Sequence, residues 1–198
     1  MKTAVCTLVS STPYSQSQTI DPEQHPKLSK ETPDAYEKRC WRHRMHVTST
    51  GHVEIPQTAF ENAIKEAAKR LQLPIPGKRM QFYTKSFEAG FSVLGGLVLD
   101  VKAADVKADR LFVPSDGRPG GGKRVWKSFP RIESWRGDIT CVIHDDVITL
   151  EVFDKVLVSA GLLVGIGRFR PQNRGFYGRF GVESISWNDD AAAAFAAQ

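Results

Sequence analysis

The chain has 198 residues, 41% of them hydrophobic and 25% charged, a balance that excludes disorder of the whole and allows a sizeable buried core. Its longest apolar runs, such as Leu162–Ile166, fall far short of the roughly 20 residues a membrane span needs. Three scattered cysteines, Cys6, Cys40 and Cys141, argue against a disulfide framework and a zinc knuckle, so a reducing, cytoplasmic protein without metal or cofactor is expected.

In chain order, the N-terminal run alternates with threonine as a strand does, over Thr3–Val9, rather than forming the apolar core of a signal peptide. A polar stretch, Ser10–Thr32, follows, with Pro13, Pro22 and Pro26 spaced through it; a loop this long inside a domain is functional or mobile. Tyr36–Arg39 reads as a helical turn. Trp41–Val47 and His52–Ile55 read as a hairpin turning at Ser49–Gly51. The strongest helix is Thr58–Leu71, whose Phe60, Ile64, Ala67 and Leu71 share one stripe and which Pro74 and Pro76 bring to an end. Phe91–Val101 and Arg110–Val113 are strand-like, and the glycine-rich Gly117–Gly122 separates them from another strand, Asp138–His144. Thr149–Leu163 is a second helix with Val152, Phe153, Val156 and Leu157 on its buried face, and Tyr177–Trp187 alternates as a last strand. His144, Asp145 and Asp146 precede that helix, and acids there suit its N-terminus better than a metal site. Residues 189–198 read as a flexible tail.

Without the insertion at 10–35, the order is strand, helix, strands, strand, helix, strand. That order predicts an α+β, ferredoxin-like domain over 1–188, an antiparallel sheet with two main helices. RNA-recognition modules of this type stack bases on the exposed sheet face.

The net charge is +5, and its distribution is more informative. From Arg118 to Arg136 there are six basic residues against one acid, and from Gly165 to Gly181 four arginines and no acid. Cations interleaved with rings and glycines suit a polyanion with flat bases. The segment Gly165–Phe180, GIGRFRPQNRGFYGRF, combines backbone freedom with the forked donors of Arg168, Arg170, Arg174 and Arg179. Alternation turns Phe176 and Phe180 inward and Tyr177 outward, which assigns base stacking to Tyr177. Lys123, Arg124, Trp126 and Lys127, following three glycines, form a basic finger. Arg42 and Arg44 line one face of the expected hairpin beside Trp41. The glycines do not make a dinucleotide fold, since they follow a helix and precede a strand, and GRPGGGKR lacks the Ser or Thr of a phosphate-binding P-loop.

On this order of elements and on GIGRFRPQNRGFYGRF, the chain resembles the RAMP superfamily, the RNA-binding proteins of CRISPR effector complexes, and within it the RNA-gripping backbone subunits. YTKSFEAG and GGGKRVWKSFP also look like short proteins carried by phages. The resemblance implies a glycine-rich loop that grips RNA, a homo-oligomer along the strand, and a larger nucleoprotein complex as partner. Single-stranded RNA, ahead of DNA, is the expected ligand, and no membrane partner is expected. Two other readings follow. One is a RAMP-type, metal-independent endoribonuclease using His43 and His46, with His52 nearby. The other is a phage-type structural or inhibitory protein that docks on a host nucleoprotein complex.

Overall fold

The computed structural model describes residues 1–115 and 122–189. In chain order these form β1 (Lys2–Ser10), α1 (Pro33–Cys40), β2 (His52–Ile55), α2 (Gln57–Leu71), α3 (Thr84–Ala89), β3 (Phe91–Leu94), β4 (Leu97–Lys102), β5 (Lys107–Pro114), β6 (Arg124–Arg131), β7 (Arg136–Ile143), α4 (Leu150–Ser159) and β8 (Phe180–Asn188). The class is α+β. Residues 117–121 of the glycine-rich segment, and 190–198 of the tail, lie outside the described residues.

A four-stranded antiparallel sheet in the order β3-β7-β1-β8 carries the core. Because side chains alternate along a strand, Ala4, Cys6 and Leu8 of β1 share a face with Ile139 and Cys141 of β7, and all five are 3% exposed or less. The helices cover that face. In α4, Phe153 touches Phe91 and Trp187; in α2, Phe60 meets Phe180 edge-on. The predicted stripe of α2 is buried at Phe60, Ile64 and Ala67, while Leu71 is only half-buried. All three cysteines are buried and unbridged. Among the described residues no helix is long and apolar enough to cross a membrane. Phe153 has no exposed surface, and Phe153→Ala is expected to cost about 3–5 kcal/mol through the cavity it leaves, measured by denaturant unfolding.

The outer sheet face corrects one expectation. The register places Thr3, Val5, Thr7 and Val9 beside Asp138, Thr140, Ser184 and Ser186 there, and its arginine, Arg136, is tied to Glu183 at 2.7 Å. No ring of a described strand lies among these positions, so base stacking on the sheet face has no platform.

Several boundaries also differ. Trp41–Arg44 is a 3₁₀ turn continuing α1, not a strand; β2 pairs instead with β4, and only a Val47–Val53 bridge survives of the expected hairpin. The run Phe91–Val101 is two strands in two sheets, because Gly95, at φ +68°, breaks it after Leu94. The second helix is regular only over Leu150–Ser159 and widens into a π turn over Ala160–Val164. Its N-terminus is capped by Thr149, whose hydroxyl accepts from Val152 N, while Asp145 accepts from Val147 N in the preceding turn. The last strand begins at Phe180; Tyr177 precedes it.

Candidate nucleic-acid interface

The second two-stranded sheet is the β5–β6 hairpin, in register from Lys107–Arg131 to Pro114–Arg124. One side of it bears Phe112 opposite Trp126, ring centroids 5.3 Å apart and both nearly half exposed. Guanidinium groups lie over these rings, Arg110 over Trp126 at 4.8 Å and Arg124 over Phe112 at 5.3 Å. Arg110 is also bonded to Asp34 at 2.6 Å, which braces this side against α1. Gly122, Lys123 and Arg124 are exposed, and Lys127 donates to the Ser115 carbonyl at 3.1 Å. The basic finger of the sequence is therefore one arm of a hairpin.

The alternate side of the hairpin docks on the glycine-rich loop. Asp109 accepts the Tyr177 hydroxyl at 2.6 Å, Arg131 lies 5.9 Å above the Tyr177 ring, and buried Phe129 receives the Arg168 guanidinium at 3.4 Å from its centroid. Burial and the Asp109 bond hold the Tyr177 phenol above its ordinary pKa. Burial pushes the Arg168 guanidinium down to about 10, so it is still a cation at neutral pH.

The loop itself is built on the segment that follows β1. Gly178 N donates to the Pro13 carbonyl at 2.8 Å, Arg168 N to Ser15 at 2.7 Å, and Ile166 N to Gly178 at 2.9 Å. Gly178 holds φ +76°, and a Cβ there would meet the Ile166 carbonyl. Tyr14, 1% exposed, bridges to Ile132, so the first residues of the long insertion are part of the core.

These contacts sort the predicted site residues. Arg174, Lys123 and Arg124 are exposed, and Arg170 is half-buried without an ion pair among the described residues. Arg179 donates to the Leu162 carbonyl at 3.2 Å. Tyr177 is engaged by Asp109, and the rings that the loop exposes are Phe169 and Phe176, at 51% and 57%. Arg42 is exposed and stacked on Trp41 at 4.4 Å. Arg44 is half-buried and holds both Glu37 carboxylate oxygens, at 2.9 and 3.1 Å, so it is not a free surface cation. Sequence reasoning missed Phe112, and although Phe169 and Phe176 read as flat faces of the loop, it assigned the stacking to Tyr177. Phe112 sits opposite Trp126 only once the hairpin register is known, and Phe176 was turned inward by the alternation of a strand that in fact begins at Phe180.

His43 and His46 of the cleavage reading line a separate cleft of about 570 Å³, together with His25, Arg42, Asp21 and Glu54, whereas His52 does not line it. The His25 and His43 rings stack at 3.5 Å, and His52 hydrogen-bonds with Thr50. No cluster of three potential metal ligands exists among the described residues. Burial, with the His25 charge second, lowers the His43 pKa. A base that is harder to protonate when folded stabilises the fold above its ordinary value of about 6.5 and loses that contribution as pH falls through it. Acidification from pH 7.5 to 5.5 is expected to loosen residues 21–31, read as faster amide exchange after correction for intrinsic rate; His43→Phe, which keeps a ring against His25, should remove that pH dependence.

No family model and no curated protein matches the chain. Solved structures do. Cmr6 from Pyrococcus furiosus is 12% identical, covering 92% of this chain and 99% of its own, with a TM-score of 0.45. A chain of a CRISPR RNA-guided surveillance complex is 11% identical, covering 100% of this chain and 75% of its own, with a TM-score of 0.39.

Proposed function

We propose that this chain is a ferredoxin-like, RAMP-type module that holds single-stranded nucleic acid, RNA ahead of DNA, inside a larger nucleoprotein complex in the cytoplasm. The strand order β3-β7-β1-β8, with α2 and α4 as crossovers, supports the ferredoxin-like reading. The observation that carries the function is the pairing of rings and cations on the hairpin and the loop it docks on. Phe112, Trp126, Phe169 and Phe176 expose flat surfaces, while Arg124, Lys123, Arg170 and Arg174 stand beside them without carboxylate partners among the described residues. Bases stack on such rings for about 1–3 kcal/mol each, and unpaired cations take the phosphates. Arg179 and Lys127 add charge at the edges, and Tyr177 acts by holding the hairpin to the loop.

The test is fluorescence anisotropy with labelled single-stranded RNA, single-stranded DNA and duplex DNA, each at low and moderate salt. Salt-sensitive binding to single strands is the expected result, and its stoichiometry on longer strands reports assembly along them. Absence of binding to all three would overturn the reading in favour of a protein that docks on a host complex, detected by pull-down. The cleavage reading would rest on His43 and His46, which line the cleft beside His25; strands left intact after binding dismiss it.

A further inference from the structure

Ligand sites are clefts of roughly 300–1,000 Å³ on which the fold leaves a few polar groups free to converge. The cleft between residues 18–25 and 42–47, about 570 Å³, lies outside the ring-and-cation surface and has that character. Its walls are fixed by the backbone. Gln18 N donates to the Arg44 carbonyl at 3.0 Å, and His25 N to the Asp21 carbonyl at 2.9 Å. The buried Gln16 amide ties the floor together, donating to the Glu54 carbonyl at 3.4 Å and accepting His46 N at 3.1 Å. The side chains of Gln18, Gln24 and His46 are left without a hydrogen bond among the described residues, and Arg42 makes one, to the Ala104 carbonyl at 3.4 Å.

The lining is rich in donors. Arg42 and the imidazoles of His25, His43 and His46 meet two acids there. Asp21 spends Oδ1 on Glu23 N, at 2.9 Å, and the Glu54 carboxylate lies against Gly96, which does not line the cleft. Arg39, whose charge also acts on His43, is held by Glu31. A guanidinium fork and imidazoles that gain a donor on protonation match the acceptor oxygens of a phosphate. The cleft also borders the strand surface. The turn Trp41–Arg44 sends Arg42 and His43 to the cleft and Arg44 to the Phe129 ring of the hairpin, 5.2 Å from its centroid. The segment that supplies Gln18 also supplies the Ser15 carbonyl that accepts Arg168 N of the glycine-rich loop.

We infer that this cleft is a phosphate subsite of the strand-binding surface, where Arg42, His25, His43 and His46 hold one backbone phosphate more tightly as the imidazoles take up protons. The inference rests on the strand-binding reading for the source of the phosphate. In the free protein, protonated His25 and His43 would repel across a stack of 3.5 Å. A bound phosphate offsets that repulsion, so anion binding and protonation reinforce each other reciprocally.

Anisotropy of a labelled single-stranded RNA at pH 7.5 and 5.5, at constant ionic strength, tests the subsite in three proteins: wild type, the double variant His43→Phe with His46→Gln, and His144→Gln. His144 bonds to Ser92 away from the cleft and controls for the loss of a titrating imidazole. Wild type and His144→Gln should bind at least about threefold more tightly at pH 5.5, and the double variant should lose most of that gain. No gain in wild type, or an undiminished gain in the double variant, overturns the subsite. If the double variant does not fold, proton NMR titration of the imidazoles of wild type, with and without RNA, decides. RNA should raise the pKa values of His25, His43 and His46 and leave that of His144 unchanged; no rise, or an equal rise at His144, overturns the inference. Strands that bind without a pH gain remove the subsite and leave the strand-binding reading. If RNA binds at neither pH, that reading falls, and the same NMR titration with inorganic phosphate against chloride judges the cleft alone: a rise confined to its three imidazoles keeps a phosphate site, and no rise removes it.

Discussion

Replacing Arg124, Lys127, Arg170 and Arg174 together with alanine is expected to weaken binding to single-stranded oligonucleotide by at least about a hundredfold at moderate salt, and to flatten its salt dependence. Each cation that neutralises a phosphate of a single strand releases about 0.7 of a counterion, so losing four should lower the slope of log K against log salt by about 3. The melting temperature should change little. Arg174 makes no side-chain bond among the described residues, and Lys127 and Arg124 each donate to a backbone carbonyl of their own hairpin near the solvent. Arg168 is left out of this set on purpose. It packs on Phe129, so its removal would mix lost affinity with a loosened hairpin. Trp126→Ala should cost a further ~1–3 kcal/mol of binding without altering the salt slope, because stacking releases no counterions. An unchanged affinity and slope in the fourfold variant would show that strands bind elsewhere.

Gly178→Ala should be among the most damaging single methyl groups in the loop. At φ +76° the new side chain is strained, and its Cβ runs into the Ile166 carbonyl, a backbone atom that is itself fixed by the Ile166 N to Gly178 O bond. Relief requires moving the loop off the Pro13–Ser15 segment on which it is built. We expect a loss of about 3 kcal/mol or more, or roughly 6–12 °C in Tm for a chain of this size, and loss of strand binding with it. Gly51→Ala is the control: its φ of +83° is equally left-handed, but nothing lies within 4 Å of the added carbon, so only about 1–2 kcal/mol of backbone strain is expected. Equal losses at the two positions in denaturant unfolding would mean that the close approach at Gly178 contributes nothing.

Much of the scaffold was legible from short-range pattern. The 3.6-residue stripe of α2 and the period-2 alternation of β1 and β7 were each read within a residue or two, because both faces of these elements differ in polarity along their whole length. Where the pattern misled, a local signal had two readings. Trp41–Val47 alternates as a strand would, yet Arg44 reaches back seven positions to Glu37, about two helical turns, which an extended chain does not allow, and Trp41–Arg44 stays coiled. Phe91–Val101 is mostly apolar, and only the sheets themselves reveal that Gly95 sends its two halves to different partners.

The sequence by itself determined the α+β class, the order of the elements, the clustering of cations and glycines, and the absence of an apolar span, since all of these are properties of neighbours along the chain. Only the tertiary structure decided which of those cations are free. Tyr177 is held by Asp109 from 68 positions away, Arg168 lies on Phe129, and Arg44 is spent on Glu37, whereas Phe112, Phe169 and Phe176 are left exposed. A side chain's availability depends on which distant group reaches it first, and periodicity carries no information about partners brought together by the crossing of the β5–β6 hairpin over the glycine-rich loop.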